Sequence, residues 1–377
     1  MMKLSKANNP LIAIGLMSGT SLDGIDVALL ETDGEKILDL GPSLSAEYSS
    51  IFKKKLLMAV EKSVLANTLT QDNDLEFELT KLHIDAIESV MKLSSCRGKW
   101  CHPQLIGFHG HTTIHRPSLG FTCQIGNPRQ LSEALNLPVV SDFRSADVKA
   151  GGQGAPLTPI FHAAMLGEHG YKTAIVNIGG ISNITLFNKN NGELIAFDTG
   201  PGNNLLDSWV QEHAGLDCDY DGTISKAGKV HYQTLRKLMK SSYFTLSYPK
   251  SLDRSDFSNI LLKGLSIEDG AATLAAFTSS AIAAGISLCP WLPDKLYVSG
   301  GGRKNPSIIK ELSAVGTYSV KSIDSIGWDG DMVEAQAFAF LAVRNLKGLP
   351  ITFPTTTGVE SPMLGGTLTF SGAEQSF

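Results

Sequence analysis

Within nine residues, Ser18–Asp26, the chain gathers three hydroxyls (Ser18, Thr20, Ser21), two glycines (Gly19, Gly24) and two carboxylates (Asp23, Asp26), with Leu22 and Ile25 between them. Glycines let backbone N–H groups approach an anion, hydroxyls add donors, and carboxylates hold Mg²⁺ through its waters. An ordinary hairpin turn is the alternative, but it needs one glycine and no such polar density. A second dense stretch, DFRSADVKAGGQGAP, sets Asp147 ahead of Gly151, Gly152 and Gly154. A carboxylate there could serve as general base, although the same string could be only a loop and an N-cap. A third, HGHTTIHRP, carries His109, His111, His115 and Arg116. No Cys or carboxylate lies within it to complete a metal shell, so a substrate-contacting loop is the preferred reading, with His109 and His111 on one face of a strand.

The elements that must position these groups follow from apolar patterning. Leu11–Met17 and Ile25–Leu30 read as strands around the first turn, and Lys172–Phe187 (KTAIVNIGGISNITLF) repeats that logic around Gly179, Gly180, Ser182 and Asn183. Another strand ends at Asp198 and Gly200 (IAFDTGPGNNLLD), with a helix from about Asn203, and KLYVSGGG runs into Gly300 and Gly301. Helices are expected over Ser43–Leu69, Asp72–Ser95 and Asp269–Leu288, and from Asp329 to Arg344 with Glu334 in its first turns. Short strands are expected at Gln104–Gly107 and Phe121–Ile125, with the histidine stretch as a turn. The tail from Leu349 is expected to pack back without chemistry of its own. Neither a Walker A loop nor a G-x-G-x-x-G follows a strand. Two related α/β domains with glycine hairpins, the arrangement of actin-like and sugar-kinase (RNase H-like) ATPases, accommodate a nucleotide without either.

At 377 residues two domains are expected, here 1–141 with about 355–377, and 142–354. A net charge of −5 without a basic block disfavours nucleic acid. Five cysteines without CxxC spacing suit a reducing cytoplasm. The N-terminus has no apolar core of a signal peptide. The uncharged Gly270–Pro293 is flanked by Asp269 and Asp294 and reads as a buried helix, so no membrane partner is expected.

MSGTSLDGID (Met17–Asp26), DFRSADVKAGGQGAPLTPIFH (Asp142–His162), NIGGISNIT, FDTGPGNNLLD, SGGGRKNP and DGDMVEAQAFAFLAVR together resemble the anhydro-N-acetylmuramic acid kinase family, in order and over nearly the whole chain. The resemblance implies ATP and Mg²⁺, a 1,6-anhydro amino sugar as small-molecule substrate, a cytoplasmic homodimer and a place in peptidoglycan recycling. It puts the base on Asp147, with a single ordered water beside it. ATP phosphates would meet Gly19–Asp26, Gly179, Gly180, Ser182, Asn183, Gly200, Gly300 and Gly301. Mg²⁺ would meet Asp23, Asp26 or Asp198, and the sugar His109, Arg116 and Glu334. Two departures, His111 for a usual Gln and LDRSD (Leu252–Asp256) for a TGRE-like stretch, bear on sugar contacts. An ordinary amino-sugar kinase and an ATP-gated binding module are the alternatives.

Overall fold

The computed structural model describes residues 9–19, 22–66, 72–167, 169–252, 257, 262 and 264–371. Thr20, Ser21 and 253–256 of the LDRSD stretch lie outside the described residues. In chain order the strands are β1 (Leu11–Ser18), β2 (Gly24–Thr32), β3 (Ile37–Glu47), β4 (Leu105–Arg116), β5 (Phe121–Ile125), β6 (Val139–Ser141), β7 (Lys172–Ile178), β8 (Ile181–Asn188), β9 (Glu193–Pro201), β10 (Lys295–Ser299), β11 (Ser319–Ser322) and β12 (Thr367–Thr369). The helices are α1 (Ser50–Ala66), α2 (Asn73–Met91), α3 (Pro128–Leu135), α4 (Ser145–Lys149), α5 (Pro159–Leu166), α6 (Asn204–Ala214), α7 (Thr223–Ala227), α8 (Tyr232–Leu238), α9 (Ile267–Ser287), α10 (Pro306–Val315) and α11 (Val333–Leu346).

The chain divides into two compact units, Met1–Met165 with Met332–Phe377, and Leu166–Asp331. The sheet of the first runs β12-β6-β4-β1-β2-β3 with β5 against β4, and that of the second β11-β10-β7-β8-β9. In both, three consecutive strands form an antiparallel meander and two later strands add in parallel beside the first. Parallel addition needs a crossover, which helices supply in each unit. One topology thus occurs twice, as the actin-like, RNase H-like expectation requires. The unit boundaries differ from those expected at 141 and 354. Residues 142–165 stay with the first unit because Phe161 of α5 packs on Phe340 of α11 at 5.5 Å between centroids, and α11 belongs to the first sheet.

That placement is written in two glycines. A Cβ on Gly15 of β1 would lie 1.7 Å from the Ala335 carbonyl oxygen, and one on Gly107 of β4 2.0 Å from that of Phe338. The backbone of α11 therefore rests directly on the strands, an approach only glycine permits. On the opposite face Ile14, Leu16, Ile106 and Phe108 join Phe52, Leu79 and Ile87 of α1 and α2 in one core.

Three local expectations are corrected. Ser43 belongs to β3, paired with Ala28, and α1 begins only at Ser50. The alternating SLSAE is drawn into the sheet by the ladder of β2 despite Gly41-Pro42. The stretch expected as a turn after Gly107 is strand as far as Arg116, pairing with β5. Finally, Gly110 has φ +72° and breaks the alternation of β4. As a result His109 lies against Phe338 of α11 (4.6 Å), while His111 bonds to Ser18 and senses the charge of His83 on α2. The two histidines do not share a face. The uncharged segment is α9, a core helix of the second unit with 78% of its most apolar window buried.

Candidate active site

Asp147 sits in α4, directly after β6, and is 1% exposed. Its Oδ1 accepts the N–H of Gly154 (2.6 Å) and its Oδ2 the hydroxyl of Thr357 (2.6 Å). Gly152 must be glycine: a Cβ there would fall 2.2 Å from Asp147 Oδ1. Arg144, one turn before Asp147, donates from Nη1 to the Gly154 carbonyl (2.7 Å). Its Nε and Nη2 both reach His109 Nε2, at 3.1 and 3.0 Å. Because guanidinium only donates, His109 Nε2 is the unprotonated nitrogen, and Nδ1–H donates to the Gly110 carbonyl at 2.9 Å. Burial, then the Arg144 charge, hold the His109 imidazole well below its usual pKa. His109, expected at the sugar, thus has both ring nitrogens committed and acts through Arg144. Arg116 lies half-buried at the end of β4, opposite Phe121.

The first turn begins at Ser18, whose hydroxyl shares hydrogen bonds with Tyr48 Oη (2.7 Å) and His111 Nδ1 (2.9 Å). Leu22 has φ +62° and donates its N–H to the Gly19 carbonyl. Asp23 is exposed, and Asp26, half-buried, accepts the Ser45 hydroxyl at 2.5 Å. Gly24 and Ile25 are strand residues of β2, and a Cβ on Gly24 would meet the Ala46 carbonyl at 2.3 Å. Their role is to pack the hairpin. Glu334, at the start of α11, belongs to the same neighbourhood. Burial, followed by the charges of Asp26 and Asp23, raises its pKa, and Arg144 opposes them. The first unit therefore brings Asp23, Asp26, Glu334 and the Arg144–Asp147 pair into one region.

The second unit brings two glycine turns, Gly179–Gly180 and Gly300–Gly301, to Asn203, the residue expected at the start of a helix. Asn203 donates its N–H to the Gly179 carbonyl (2.7 Å) and Nδ2 to the Ile178 carbonyl (3.0 Å). A Cβ on Gly301 would come 3.4 Å from Asn203 Nδ2, and one on Gly300 2.3 Å from Asn177 Oδ1. Gly180 and Gly301 are exposed. Beside them α6 begins at Asn204, offering N–H groups of a kind that suit anions. Ser182 and Gly200 are placed otherwise than expected. The Ser182 hydroxyl is fully buried on Thr199 Oγ1 (2.7 Å) and the Gly200 carbonyl (3.1 Å), and Gly200 faces Ala281 of α9. Both brace the turn from inside. Asn183 is half-buried and pairs with Asp198, whose Oδ2 accepts the Leu252 N–H at 2.9 Å.

The family model described as anhydro-N-acetylmuramic acid kinase matches residues 11–371. The chain belongs to the anhydro-N-acetylmuramic acid kinase family. A family member of that name from Methylobacterium nodulans is 47% identical over 370 residues, covering 94% of this chain and 98% of the relative. One from Zymomonas mobilis is 44% identical, covering 94% and 99%. Among solved structures, the activator of 2-hydroxyisocaproyl-CoA dehydratase from Clostridium difficile, with bound ADPNP, aligns at TM-score 0.43 and 12% identity over 90% of this chain and 96% of that one. A ROK family glucokinase from Streptomyces griseus aligns at TM-score 0.39 and 13% identity over 88% and 99%. As members of this kinase family are phosphotransferases by name, so is this chain by membership.

Proposed function

We propose that this chain uses ATP to open the 1,6-anhydro ring of 1,6-anhydro-N-acetylmuramic acid with water and to phosphorylate the 6-oxygen. The products are N-acetylmuramic acid 6-phosphate and ADP, and the activity belongs to peptidoglycan recycling. What carries the reading beyond membership is the setting of Asp147, a buried carboxylate with each oxygen held by a separate donor. In the proposed step the attacking water loses a proton to Asp147 as its oxygen bonds to the anomeric carbon. The bond from that carbon to the bridging 6-oxygen breaks, the 6-oxygen bonds to the γ-phosphorus, and the bond from that phosphorus to the β-phosphate oxygen breaks to release ADP. Phosphoryl transfer asks for positioning and charge stabilisation rather than covalent help. The turns at Gly19, Gly179–Gly180 and Gly300–Gly301 suit phosphate and nucleotide contact, and Glu334 and Arg116 the sugar.

Mg²⁺ fits Asp23 and Asp26. They crowd Glu334 with negative charge, which a divalent cation relieves, and hydrated Mg²⁺ needs only one or two carboxylates beside phosphate oxygens. Among the described residues no group of three His, Cys, Asp or Glu makes a closed cage. Asp198 fits less well, since it is more buried than Asp23 and Asp26 and its carboxylate holds the Leu252 N–H. Bound Mg²⁺ supplies charge neutralisation on the phosphates. We propose a cytoplasmic homodimer as the working state.

The test is to incubate the protein with ATP, Mg²⁺ and the anhydro sugar in ¹⁸O-labelled water, beside Asp147→Asn. Expected is N-acetylmuramic acid 6-phosphate carrying solvent oxygen at the anomeric carbon, with the variant slower by at least ~100-fold, the scale of general-base loss. A wild type that leaves the anhydro sugar intact while phosphorylating an open amino sugar would replace this reading with an ordinary amino-sugar kinase.

A further inference from the structure

Thr357 stands 210 residues along the chain from Asp147, within the same unit, and donates its hydroxyl to Asp147 Oδ2 at 2.6 Å. It lies on a tight turn whose Thr356 and Thr357 N–H groups both reach the Phe353 carbonyl, at 3.0 and 3.1 Å. The Thr356 hydroxyl closes that turn by accepting the Phe353 N–H at 3.0 Å. The Thr357 carbonyl in turn accepts the Gln153 N–H at 2.6 Å. One fully buried residue therefore grips both the carboxylate and the glycine loop that carries its other donor, Gly154.

The direction of the contact is chemically determined, because an ionised carboxylate only accepts and the hydroxyl must donate. Rotation of an Asp carboxylate about its last torsion is broad and two-fold. One donor on one oxygen leaves that rotation open, whereas separate donors on the two oxygens restrict the carboxylate plane. Gly154 is itself held through its carbonyl by Arg144, so both donors are rigid.

We propose that Thr357 is a positioning residue for the base, setting the plane of the Asp147 carboxylate so that a free lone pair faces the attacking water. This rests on the reading of Asp147 as base. A positioning residue acts on the chemical step and not on binding, since neither ATP nor sugar touches it in this account. Misplacement of a reacting group by about 1 Å costs on the order of 100-fold.

The experiment compares wild type with Thr357→Val, which keeps the shape and removes the hydroxyl, and Thr357→Ser, which keeps the hydroxyl. Expected are a kcat reduced about 10–100-fold in the valine variant with KM for ATP and for the anhydro sugar within about twofold, and recovery to within about threefold in the serine variant. An unchanged kcat in the valine variant, a loss confined to KM, or a serine variant as slow as the valine one would each overturn the proposal. Should the valine variant fail to fold, Thr357→Ala against Thr357→Ser decides in the same way, equal kcat values overturning it. A wild type inactive on the anhydro sugar overturns the reading of Asp147 itself, which the parallel wild-type assay shows separately.

Discussion

Glu334 shows how a single residue here is tuned against its own comfort. Its carboxylate is partly buried beside Asp26 and Asp23, so ionising it costs more than in water, and its pKa is raised. A carboxylate whose folded pKa exceeds its unfolded one binds more protons folded than unfolded, and destabilises progressively as pH rises above the unfolded value. Glu334→Gln is therefore expected to raise the unfolding temperature at pH 7.5 while lowering sugar turnover, the trade typical of active-site charges. Thermal unfolding and steady-state assays on one preparation check both, and an unfolding temperature below wild type would sink the account. His109 is the complementary case. The HGH motif suggested a sugar contact for it, whereas its hydrogen bonds to Gly110 and Arg144 commit both ring nitrogens within the protein.

At the scale of elements, the contact of α11 with β1 and β4 carries the greatest demand. It brings Glu334 beside the first turn, and it does so because the strands present Gly15 and Gly107 where any side chain would meet helix backbone. Gly15→Ala is expected to destabilise at or beyond the upper end of the about 1–3 kcal/mol that overpacking costs, read as a lower urea midpoint. The same alanine at exposed Gly98 or Gly120, where a Cβ meets nothing within 4 Å, serves as control, although their positive φ adds some strain of its own. β1, β2, β5, β7 to β10, α2 and α11 were legible from their apolar patterning, and α9 from its uncharged run, while the short β11 and β12 carried no such signal. β3 and the second half of β4 were not legible either, since Gly41-Pro42 and Gly110 interrupt the alternation that marks a strand.

Across the whole molecule, four buried histidines concentrate in the first unit. Burial lowers His83 and His111 to about 4 and His162 to about 3, and His109 well below its ordinary value. Neighbouring cations add to burial at two of them: His111 senses His83, and His109 senses Arg144, His111 and His83. In the unfolded chain each takes up a proton near 6.5, so below that pH the unfolded state binds more protons and stability falls as pH falls. Each histidine adds at most about 1.4 kcal/mol per pH unit to that slope, over the window from about pH 6.5 down towards its folded value. Urea midpoints should drop steeply across that window, and hydrogen exchange should show α2 and β4 opening first. Midpoints flat from pH 6.5 to 4.5 would refute this.

The sequence by itself determined the family, the duplicated α/β plan and the position of Asp147, because each is carried by neighbours in the chain: strand–glycine–strand units, a spaced acid and glycine loop. Only tertiary structure decided which groups serve them. Asn203 joins two turns that lie far apart in sequence, Ser182 and Gly200 turn inward, and Thr357 reaches Asp147 from a polar tail that has no local mark of chemistry. A hydrogen bond across 210 residues depends on the sheet order and the return of α11, and no pattern of adjacent residues encodes it.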